Sequence, residues 1–173
     1  MSHRSDLSED PRRTVLALLS RTPVGMLSID GSALHPQPMT QDTDPDRGEL
    51  WFLTSRETEI VRAIGQGARA HFTVTSDDHC LQASFAGAIV QSTDPGHLDR
   101  LWSGADARGR PADWFPGGRD DPDLLALRMT LSEAMAWAAS TSTLRTGIER
   151  LRATLDPDHA PDLGVQVAIP FNG

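Results

Sequence analysis

The chain has 173 residues, a net charge of −8 and 38% hydrophobic residues, enough for one domain, residues 1–173, with a buried core. Its 16 basic residues are all arginine and it has no tyrosine, which excludes a lysine-bound Schiff base and a tyrosyl acid or base. The acidic balance argues for no nucleic acid and no anionic membrane as main partner, and no apolar run nears the roughly 20 residues that span a bilayer.

In chain order, residues 1–7 read as disordered and lack the apolar core of a signal peptide, so a cytoplasmic protein is expected. Asp10 caps a helix whose first turn accepts Pro11; Val15, Leu16, Leu18 and Leu19 give its apolar face, and Thr22-Pro23 stops it. Val24 to Ile29 reads as a strand ending in the turn Asp30-Gly31. Leu34 to Gln41 carries two prolines and reads as an edge strand or one with a bulge. A polar loop from Asp42 to Gly48 leads to the strand Leu50 to Thr54. Ser55 then caps a helix to about Gly65, with Ile60, Val61 and Ile64 inward.

Arg69 to Thr75 alternates as a half-buried strand does. After the turn Ser76-Asp77-Asp78, Cys80 to Ser92 reads as a long strand in which Gly87 marks a bulge or a close approach. Pro95 to Trp102 is a short helix, followed by a Gly/Pro/Asp-rich segment. Leu124 to Thr130 and Ala134 to Ala138 read as two strands. Thr143 to Leu155 reads as an amphipathic helix through Leu144, Ile148, Leu151 and Leu155, with a loop or extended tail to Gly173. Hairpin-linked strands dominate, which predicts an α+β chain, mainly β: a small antiparallel barrel decorated by helices.

The stretch Glu49 to Val61 bears most directly on function. A strand that ends in Thr-Ser and feeds a helix is a common phosphate cradle, because helix-start amides and the dipole favour an anion. Here the turn also carries Glu57 and Glu59 and no lysine. The same residues also read as an ordinary N-cap, with both acids complementing the dipole of an empty helix start, and this reading explains the acids better than a phosphate does. Elsewhere, His35, His71, His79 and Cys80 lack metal-ligand spacing, and Asp120, Asp121 and Asp123 beside Gly117-Gly118 read as a capped turn, with Arg119 able to pair with one of them. No Ser/His/Asp triad order and no Gly-rich phosphate loop appears.

Pro38-Met39, the run L-W-F-L-T-S at Leu50 to Ser55, the run W-F-P-G-G-R-D-D-P-D at Trp114 to Asp123, the strand Leu124 to Thr130 and the pair Ala136-Trp137 occur in one order over roughly residues 10 to 140. In these the chain resembles the flavin-binding split-barrel family related to pyridoxamine 5′-phosphate oxidase, nearest to its general-stress-protein branch. The resemblance implies an antiparallel split β-barrel, a homodimer, and flavin mononucleotide (FMN) in each cleft between subunits. It implies that Gln37, Met39, Thr40 and Phe52 lie along the flavin ring and that Thr54, Ser55, Arg56 and Thr58 take the phosphate. It also implies that Trp114 and Trp137 approach the cleft from the other subunit.

Two positions depart from that pattern. The family's arginine before Pro-Met is Gln37 here, and its lysine after Thr-Ser matches Ile60, with Glu59 beside it. Two lost hydrogen bonds to a charged phosphate amount to about 3–6 kcal/mol. Two readings follow. One is a flavin-dependent oxidoreductase of unknown substrate, with no catalytic acid or base assigned. The other is a binding or sensor module of the same fold that holds flavin weakly, or another ligand such as a deazaflavin or haem, or none.

Overall fold

The computed structural model describes residues 3–92, 94–107, 114–139 and 164–171. Its strands are β1 (Val24–Ile29), β2 (Gln37–Asp44), β3 (Glu49–Ser55), β4 (Ala68–Thr75), β5 (Leu81–Ser92), β6 (Leu124–Ala138) and β7 (Val165–Pro170). The helices are α1 (His3–Glu9), α2 (Pro11–Arg21), α3 (Glu59–Ile64) and α4 (Pro95–Ala107), with a 3-10 turn at Gly118–Asp120. All strand pairs are antiparallel in the order β3-β2-β1-β4-β5-β6-β7, and a further β3–β6 ladder closes six strands into a barrel.

Alternation builds the core. Leu27, Phe52, Phe72, Phe85 and Leu127 point inward from five strands, and the rings of Phe52 and Phe72 meet edge to face at 5.3 Å. Helix α3 adds Ile60, Val61 and Ile64 to that core. Helix α4 lies outside, where Leu98 and Leu101 cover Trp51, Leu53 and Ala126.

Strand β6 is one strand where the sequence suggests two. Its outer residues pass a bulge: Ala86 faces Glu133 but Gly87 faces Leu131, so Ser132 is the extra residue. Gly87 is the close approach, since a Cβ there would lie 2.1 Å from the Thr130 carbonyl oxygen. One edge of β6 pairs with β5 from Ala126 to Ala138, whereas the other is shared, Leu124 to Thr130 with β3 and Glu133 to Ala138 with β7.

Other expectations are corrected at their ends. Residues 3–9 form α1 rather than a disordered lead, because Leu7 is wholly buried and the Thr14 hydroxyl donates to the Asp6 carbonyl at 2.9 Å. Asp10 caps α2 as expected, accepting from the Arg13 amide at 3.1 Å. Strand β2 starts at Gln37 and runs on to Asp44, taking Asp42 to Asp44 of the expected loop into a ladder with β3. Helix α4 extends five residues past Trp102, and the tail forms β7. The expected helix Thr143 to Leu155 lies outside the described residues.

Candidate functional site at the split of the barrel

The barrel parts at one place. β2 and β3 pair from Asp44↔Glu49 to Gln41↔Phe52 and no further. Beyond that fork, Gln37 to Thr40 pair only with β1, and Leu53 to Ser55 pair only with β6. Pro38, which has no N–H to give, is tolerated on β2 because this stretch is an edge. The fork is fixed by Gln41, whose side-chain amide donates to the Leu19 carbonyl at the end of α2 at 2.8 Å. Two lips result: Gln37, Met39 and Thr40 on one, and Thr54, Ser55, Arg56 and Thr58 on the other.

The second lip is a closed turn. Ser55 is not the helix cap; Thr58 is, and without a side-chain bond to the helix. The Thr58 amide and hydroxyl both donate to the Ser55 carbonyl, at 3.2 and 2.8 Å, and the Glu57 amide donates to Ser55 Oγ at 3.3 Å. The Arg56 amide donates to the Asp123 carbonyl at 2.8 Å, and Arg56 Nε to the Pro122 carbonyl at 3.1 Å. Arg62 reaches back from α3 to the Glu57 carbonyl at 2.8 Å. The amides of residues 56–58 therefore point into the protein's own bonds, not outward as a strand-to-helix turn suggests.

Arg56 joins this turn to the loop bearing Trp114. That loop is also held on α4, where Phe115 meets Trp102 edge to face at 6.3 Å and Arg119 pairs with Asp99. Asp121 caps it, accepting from the Gly117 and Asp123 amides at 3.0 Å each, as the capped-turn reading of these acids expects. Trp114 is left 80% exposed. Phe52 is fully buried in the core, so only its backbone faces the fork. Met39 is partly buried against the core and Gln37 half-buried. Trp137 stands apart: it lies thirteen residues past the Leu124 partner of Ser55, roughly 40 Å of strand at 3.3 Å per residue.

A second polar cluster, unforeseen in the sequence, lies under α4. Trp51 stacks on His97 at 4.1 Å, its indole N–H donates to buried Glu49 at 3.2 Å, and Glu49 meets Arg128 at 3.7 Å. His97 Nδ1 lies 2.9 Å from Asp94 Oδ2, and this bond, with the His97 and Gly96 amides, lowers the Asp94 carboxyl below its usual range. The only sequence signal was the Asp94-Pro95 helix start. Among the described residues no group of His, Cys, Asp and Glu converges as a metal would need.

Residues 10–162 match the family model described as pyridoxamine 5′-phosphate oxidase like. The chain belongs to that family. A general stress protein 26 from Jannaschia sp. CCS1 is 30% identical over 97% of this chain and 99% of its own, with a TM-score of 0.67. A general stress family protein from Xanthomonas campestris pv. campestris is 35% identical over 80% and 93%, at 0.64. The general stress FMN/FAD binding protein of Xanthomonas citri is 34% identical over 79% and 94%, also at 0.64. Among curated proteins none matches. The chain is thus a split-barrel member of the pyridoxamine 5′-phosphate oxidase-like family, similar to its general stress proteins. No helix among the described residues is long and apolar enough to cross a membrane.

Proposed function

We propose that this chain is a homodimeric flavin-binding protein of the oxidoreductase class, with the flavin along the split between β2 and β3. The observation that carries the reading is the split itself, in a family member whose Xanthomonas citri relative is named for FMN/FAD binding. Bound flavin supplies the redox chemistry, and the protein supplies position and electrostatics. Gln37, Met39 and Thr40 bound the ring on one lip; Thr54 and Ser55 meet the polar chain on the other.

A second copy completes the cleft in this reading. Trp137 lies far along β6 from the β3 lip of its own split, and Trp114 projects into solvent from the loop docked on the turn. Both suit delivery across a two-fold axis. Purified protein is expected to absorb near roughly 450 nm as isolated or after titration with flavin. A colourless protein that takes up no flavin sinks the proposal. The closed turn at 55–58 favours a second reading, a binding or sensor module that holds flavin weakly or holds another ligand. Uptake of a deazaflavin or haem in place of flavin distinguishes it.

A further inference from the structure

We infer that this site recognises the uncharged part of a flavin and takes riboflavin as readily as its phosphate ester, FMN. The inference rests on the flavin reading above and concerns which part of the ligand the chain holds. A phosphate monoester carries close to two negative charges near neutral pH and needs free donors or net positive charge. The turn at the end of β3 has its amides 56–58 committed and no net positive charge.

Its backbone amides are already used. The amides of Arg56, Glu57 and Thr58 donate to Asp123, Ser55 Oγ and the Ser55 carbonyl, and the Thr58 hydroxyl also donates to the Ser55 carbonyl. A phosphate would have to break the lip apart to gain them. Helix α3 is six residues long, too short for a strong dipole.

Its charge is balanced. Arg56 and Arg62 are offset by Glu57 and Glu59, and neither carboxylate has an ion pair among the described residues. Each arginine is tethered through one nitrogen to a backbone carbonyl, Arg56 Nε to Pro122 and Arg62 Nη1 to Glu57. No further cation comes from the inner face of α3, since Ile60 is only 2% exposed within the core. The opposite lip presents neutral Gln37. By the β2–β3 register, continued past the fork, Gln37 falls opposite Arg56, where a cation would have served.

Flavin polarity separates the possibilities. The purified protein is titrated with riboflavin and with FMN, following flavin fluorescence, at low and high salt. Dissociation constants within about tenfold of each other are expected, because a neutral turn adds little to binding a dianion. FMN tighter than riboflavin by more than that overturns the inference and leaves the flavin reading standing. Binding of neither flavin overturns the flavin reading and the inference with it. The variant E57Q/E59Q provides the second arm. Removing both acids is expected to tighten FMN by about five- to tenfold and leave riboflavin unchanged. Equal effects on both flavins, or none on FMN, show that the acids do not face the phosphate, and overturn the inference.

Discussion

Asp78 shows how much one side chain organises in this chain. Its Oδ1 accepts from the Ser76 hydroxyl at 2.6 Å and the Cys80 amide at 3.0 Å, and its Oδ2 lies 2.8 Å from His3 Nε2. It thereby closes the turn in which His79 takes a left-handed φ of 58°, and ties α1 to the β4–β5 hairpin. These bonds, the Ser76 hydroxyl first, then the Cys80 amide, lower the carboxyl from 3.8 to about 2. A depressed folded value contributes stability above the unfolded value and loses it as pH falls through the folded one. The window therefore runs from about pH 4 down to about pH 2. Wild type is expected to exceed Asp78→Asn in urea midpoint at pH 5, with the gap closing by pH 2. A gap that stays constant across those pH values would show that the carboxylate's charge is not what the turn uses. Arg56 is a different lesson at the same scale. From sequence it fits equally a phosphate or solvent; the structure gives it the Pro122 carbonyl, a partner 66 positions away that no local pattern reveals.

Among the elements, those with a complete periodic signal were legible and those carried by one contact were not. Strands β1, β3, β4 and β5 and the capped helix α2 lie where their apolar residues and Asp10-Pro11 place them. Helix α1 has a single apolar anchor, Leu7, and so reads as disorder until the barrel is present to bury it. The bulge at Ser132 shifts the alternation of β6 by one residue and makes one strand look like two. The split at the site was half legible: the prolines marked β2 as an edge, but only the register shows where β3 leaves it. The closed turn was not legible, because its bonds run through backbone carbonyls. If α1 is docked as these contacts indicate, Leu7→Ala should cost about 2–5 kcal/mol, the range for emptying a buried leucine site. Urea denaturation followed by tryptophan fluorescence measures it. A change within about 0.5 kcal/mol, the size expected of an ordinary surface substitution, would mean that α1 is not part of the folded barrel in solution.

For the molecule as a whole, the outer face of the barrel is the decisive surface. One cross-strand row runs Pro38–Met26–Thr73–Ser84–Met135–Ala168 over six strands without a charge. Val24 at 53%, Met26 at 42% and Trp137 at 39% stand exposed on this face. An uncharged row flanked by three exposed large apolar side chains suits the proposed second copy. Light scattering is then expected to give twice the 18.8 kDa chain mass for wild type. Met26→Glu leaves the core untouched, since its neighbours in the row are exposed or half-buried, but it would trap an unpaired carboxylate in the interface. That costs several kcal/mol, and each 1.4 kcal/mol is about tenfold in dissociation. The variant should run as an 18.8 kDa monomer with an unchanged circular dichroism spectrum. A wild-type monomer, or a Met26→Glu dimer, removes this face from the reading. Flavin titration of the monomeric variant adds the link to the site. If the cleft needs tryptophans from the second copy, both riboflavin and FMN weaken together when the dimer is lost. If flavin binding survives dissociation, each split is complete within one chain.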